Sequence, residues 1–159
     1  MVTFLKAILV GAVLAAATMG AASAPTQDGA ISPTLKAFDE GRMPDRFKGL
    51  GNPLGGDAAT LDAGRAVYAK HCASCHGEAA DGGGPMAAAL EVKPANLVRA
   101  VGARPDIDAY YFWIVSAGGA PFGRPMPRYA RVLNETEIWQ VVAWMQAGFP
   151  GLPVDAAPR

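Results

Sequence analysis

The sequence predicts an all-α fold, a small domain of about four helices. Three observations carry this. The run Ile107, Tyr110, Tyr111, Ile114, Val115 has the three-and-four spacing of an amphipathic helix. Asn134 followed three residues later by Glu137 has the form of a capping box, and Ile138, Val141, Val142 and Met145 continue from it as one apolar face. Glycine and proline stand where these stretches should end, at Gly118-Gly119 and at Gly148 with Pro150.

In chain order, Met1–Lys6 is a short charged start, Ala7–Ala22 carries no charge, and Ala22-Ser23-Ala24 is a small-residue cleavage pattern. Residues 1–24 thus read as an export signal, removed after Ala24. The alternative is a retained membrane anchor, but the apolar run is short of the roughly 20 residues that span a bilayer. Residues 25–58 form an arm rich in Pro, Gly and charge, without a clear period. It is either anchored on the domain by Leu35, Phe38, Phe47 and Leu50 or a partly disordered lead-in. Thr60 is the expected N-cap of a helix over 61–70, with Ala63, Ala66 and Val67 as its apolar stripe. Gly64 inside that helix costs about 1 kcal/mol relative to Ala and so suggests a close backbone approach.

A loop follows over 77–85, containing Gly82-Gly83-Gly84-Pro85. No G-K-[ST] follows the glycines, so they make a poor phosphate cradle. A short helix is expected over 86–90, then extended or turned chain over 93–97. Pro105-Asp106 opens the helix over 107–117, where Phe112 and Trp113 are expected to pack the core. Pro121, Pro125 and Pro127 exclude regular helix from 120–131. The domain proper is read as 59–150, with a loose tail over 151–159.

The chemistry concentrates in Cys72-Ala73-Ser74-Cys75-His76. Two thiols three positions apart with a histidine next to the second form a c-type haem attachment site. Each thiol can bond one vinyl group, and the imidazole can then ligate the iron. Rival readings are weaker. A thioredoxin-like pair requires a βαβ context. Structural zinc requires four ligands, and the chain has two Cys and two His, with His71 beside Cys72. A plain disulfide would leave His76 without a role. The chain has 14 basic and 14 acidic side chains, and removal of the signal takes away only Lys6. That balance offers no basic excess for nucleic acid.

With this motif the domain resembles the class I, mono-haem bacterial cytochromes c, over roughly residues 61–149. The resemblance implies one covalent haem c, His76 as proximal ligand, and a periplasmic location, where such haem is attached. It implies that the first and last helices cross at Gly64 and Tyr68, with Trp144 opposite. The Pro-x-Asn-Leu pattern at 94–97 implies that the carbonyl of Pro94 accepts a hydrogen bond from His76.

For the sixth iron ligand, methionine with histidine raises the potential. Met1 and Met19 leave with the signal, Met43 lies in the arm, and Met145 sits on a core stripe. Met126 is held in a proline-flanked loop, Gly123-Arg124-Pro125-Met126-Pro127, fifty residues after His76. A stiff loop loses little entropy on ligation. The sequence from Met126-Pro127 to the capped last helix also resembles the family's distal loop. Met86 is the second candidate. The expected function is one-electron transfer between a periplasmic dehydrogenase or a bc1-type complex and a terminal oxidase, without enzymatic turnover at the iron. The alternatives are a fixed haem subunit of such a complex and, if the sixth ligand is labile, a sensor or peroxidase-like protein. Arg124, Arg128 and Arg131 are candidates for docking an acidic partner or for pairing with haem propionates.

Overall fold

The computed structural model describes residues 32–152. The expected signal over 1–24 and the end of the tail lie outside the described residues. Among the described residues there are six α-helices: α1 (Pro33–Asp39), α2 (Ala58–His71), α3 (Ala73–His76), α4 (Leu97–Ala103), α5 (Asp108–Ala117) and α6 (Glu135–Gln146). Short 3-10 turns lie at Asp45–Phe47, Ala87–Ala89, Ala120–Phe122 and Tyr129–Arg131. No strand occurs among the described residues, and none of their helices is long and apolar enough to cross a membrane. The all-α expectation holds. The three α-helices not foreseen, α1, α3 and α4, have 7, 4 and 7 residues, too few turns for periodicity to show.

The frame is the crossing of α2 with α6, the first and last helices of the domain. Gly64 makes it possible. A Cβ there would fall on the carbonyl oxygen of Gln140 and 2.8 Å from Trp144 Cβ. One turn on, the Tyr68 ring lies 4.9 Å from that of Trp144, which is completely buried. Helix α2 starts earlier than expected. Asp57, not Thr60, is the N-cap, and its carboxylate accepts from the Thr60 N–H at 2.9 Å. Thr60 is thus the third residue of the first turn, where its N–H needs a cap.

The capping box of α6 forms as expected. Asn134 accepts from the Glu137 N–H at 2.9 Å, and the Glu137 carboxylate accepts from the Asn134 N–H at 2.8 Å. The buried part of α6 is wider than one stripe, running from Ile138 to Met145 with only Gln140 partly exposed. Helices α2, α4 and α5 all pack against it, so its apolar surface is covered from several sides. Each fully buried aliphatic side chain such as Val141 or Val142 contributes about 1.5–3 kcal/mol.

The arm from Ser32 onward is packed on α5. Phe38 meets Tyr110 with ring centroids 5.5 Å apart, and Phe47 meets Phe112 at 6.2 Å. Asn52 donates its N–H to Asp108 at 2.7 Å and its side-chain amide to the Trp139 carbonyl at 3.1 Å. Arg104 closes the far end with two hydrogen bonds to Asp39, at 3.0 and 3.2 Å.

Candidate haem site

Helix α2 runs directly into the cysteine motif. The Cys72 N–H donates to the Tyr68 carbonyl, and the single turn α3 is closed by His76 N–H to Cys72 carbonyl at 2.9 Å. Gly77, in the left-handed region, then turns the chain away, and its carbonyl accepts from the buried Tyr68 hydroxyl at 2.6 Å. The triple glycine is the clamp on this turn. Gly82 N–H donates to the His76 carbonyl at 2.8 Å, Gly84 N–H to the Cys75 carbonyl at 3.1 Å, and Met86 N–H to the Ser74 carbonyl at 2.9 Å. A Cβ at Gly84 would sit 2.6 Å from the Ala73 oxygen. The glycines are there so that one backbone can lie against another, a role that sequence reading did not assign.

Cys72, Cys75 and His76 open onto one cavity of about 930 Å³. Both cysteines are free thiols. His76 Nδ1–H donates to the Ala95 carbonyl oxygen at 3.0 Å. This corrects the expected acceptor, Pro94. In extended chain, neighbouring carbonyls face opposite sides. The Pro94 oxygen points at Gly82, where a Cβ would lie 2.7 Å from it. Pro94 still lines the cavity. The next residue, Asn96, caps α4 by accepting from the Arg99 N–H, so the Pro-x-Asn-Leu stretch both holds His76 and starts a helix.

Met126 lines the same cavity, half-buried. Its loop is pinned to the end of α5. The Gly119 N–H donates to the Met126 carbonyl at 3.0 Å. Gly118 has φ of +72°, and a Cβ there would come within 2.7 Å of the Met126 oxygen. Read from sequence as a helix stop, the Gly118-Gly119 pair is also the seat of the methionine loop. Met86, the second candidate, is 54% exposed and does not line the cavity. Met43 is buried in the arm, away from the cavity, whereas Met145 does line it.

Phe112 and Trp113 are core residues as expected, but neither lines the cavity, so neither packs where a haem would lie. Tyr110, Tyr111, Ile114 and Val115 line the cavity. Phe112 instead stacks on Trp139 at 4.2 Å, and Trp113 meets Phe122 at 5.7 Å. At 100° per residue these two fall on the opposite side of α5 from the cavity set. The arginines divide likewise: Arg124 lines the cavity with Arg99 and Lys93, while Arg128 and Arg131 are exposed outside it.

Burial disfavours charge on the thiol, imidazole and phenol groups of this wall. Burial, reinforced by the neighbouring Cys75, pushes the Cys72 thiol up to about 12. Burial pushes Tyr129 up to about 12 as well, with Cys72 and Cys75 adding to the effect. Burial draws His76 below the usual imidazole range, against the opposing effect of the Ala95 hydrogen bond. A neutral imidazole is the form that ligates iron. With Nδ1 committed to Ala95, Nε2 is the nitrogen available to a metal. These residues fit a haem. Among the described residues no group of three or more His, Cys, Asp or Glu is arranged to hold a bare metal ion.

An all-α domain whose first and last helices cross, with a cysteine pair and histidine opening on an apolar cavity, is the arrangement of a class I c-type cytochrome domain, an electron-transfer module. The chain belongs to the family described as Cytochrome C oxidase, cbb3-type, subunit III, whose model matches residues 59–145, more than half of its length. No curated protein and no solved structure matches the chain.

Proposed function

We propose that the protein is an exported, periplasmic one-electron carrier with a single covalent haem c. The reading rests above all on Cys72, Cys75, His76 and Met126 sharing one cavity. In it, Cys72 and Cys75 would hold the porphyrin as thioethers, and His76 and Met126 would ligate the iron. When bound, the haem supplies one-electron chemistry at its iron. The chain's part is to orient and shield. Ala95 fixes the tautomer and direction of His76. The Gly118-Gly119 seat holds the Met126 loop in place. Lys93, Arg99 and Arg124 on the cavity wall match the negative charge of two propionates. With His76 and Met126 both on the iron, no coordination site would be left for a substrate.

The family's description favours a second version of the same chemistry, in which the domain is a haem subunit fixed to a terminal oxidase. A bc1-type complex or a periplasmic dehydrogenase would be the electron donor in either version. Two measurements test the proposal. The mature protein, made in a host that attaches haem c, should keep its colour after acid–acetone extraction, and a colourless product overturns it. Purification of the native protein then separates the versions: a free carrier elutes alone, and a subunit elutes with an oxidase.

A further inference from the structure

Beyond the family domain, which starts at residue 59, the arm reaches the haem cavity itself. Ser32, Thr34 and Leu35, at the start of α1, line it together with Tyr110. A chain of hydroxyls ties this wall down. Ser32 Oγ lies 2.8 Å from Thr34 Oγ1, which lies 2.9 Å from the Tyr110 hydroxyl. Thr34 is 4% exposed and Tyr110 8%, so this link is sealed from water. One turn on, Phe38 packs on the same Tyr110, and at the end of α1 the Asp39 carboxylate accepts from Arg104. Two grips on one 7-residue helix, one through a buried hydroxyl pair and one through an ion pair, exceed what a passive leader needs.

We infer that α1 is a positioning element for the cofactor: it forms part of the cavity wall from outside the residues that the family model matches, and so sets how much of the haem meets solvent. The inference rests on the haem reading above. A water-excluding wall destabilises the more highly charged ferric state relative to the ferrous state and so raises the reduction potential. A merely structural arm would alter stability and leave the potential where it was.

The test compares haem-loaded protein with a variant lacking residues 32–40 and with Phe38→Ala, which loosens α1 at a residue that does not itself line the cavity. Both should keep the haem. Both should show a more negative midpoint potential and faster reduction by a small hydrophilic reductant, the deletion more so than the point variant. If the potential and reduction rate match those of the parent in haem-loaded Phe38→Ala whose α1 is shown by proteolysis to be released, the inference is overturned. That variant decides the matter alone should the deletion fail to fold. A parent protein without covalent haem would instead overturn the function proposed above, so the two failures are distinguishable.

Discussion

Met126 and His76 occupy different kinds of support. The imidazole is held by a direct hydrogen bond to Ala95, whereas the methionine depends on a loop pinned through backbone contacts to Gly118 and Gly119. Replacing Met126 by Ala should therefore remove the weak sulfur-to-iron absorption band of the oxidised protein and let carbon monoxide bind the reduced form. Persistence of that band shifts the ligand to another sulfur, and Met145 is the one that also lines the cavity. The pair Pro94 and Ala95 shows where a residue-level reading stops. The pattern at 94–97 correctly marks the segment that meets His76. Which of two successive carbonyls faces the ring depends on backbone direction, which no side chain reveals.

At the level of elements, the α2–α6 crossing is the junction most sensitive to volume. Gly64→Ala gains about 1 kcal/mol of helix propensity. It also places a methyl against the fixed Gln140 carbonyl, and overpacking onto backbone lies at the upper end of the usual range, about 3 kcal/mol. The net result should be a loss of about 2 kcal/mol in unfolding free energy, read as a lower denaturant midpoint at unchanged slope. An unchanged or raised midpoint would show that the helices can part at no cost. Helices α5 and α6 were readable because they are long enough to display a period, and α6 is also capped by Asn134 and Glu137. Helix α1 has only about two turns, and its reason for being helical is the Tyr110 surface it covers.

Across the whole molecule, charge is distributed by location. Arg124 faces the cavity, while Arg128 and Arg131 face solvent. Arg128→Glu should weaken the salt dependence of electron transfer to an acidic partner and slow the transfer at low ionic strength, because exposed charges steer encounter over about one Debye length. An unaltered salt profile removes Arg128 from the docking face. Contacts between redox partners are small, so a single charge of this kind has a measurable share in them.

The sequence by itself determined the chemistry and its class. The cysteine pair followed by histidine, the capped last helix and the proline-flanked methionine are local patterns, and local geometry is written in adjacent residues. Tertiary structure alone decided which carbonyl holds His76, that the triple glycine clamps the cysteine turn, and that Phe112 and Trp113 face away from the cavity. It alone brought the arm to the cavity wall, since Thr34 and Tyr110 are 76 residues apart and meet only because α1 folds back over α5. Contacts of that span carry no periodic signal in the chain. They follow from how apolar faces are shared among helices once the cavity between them has to be enclosed.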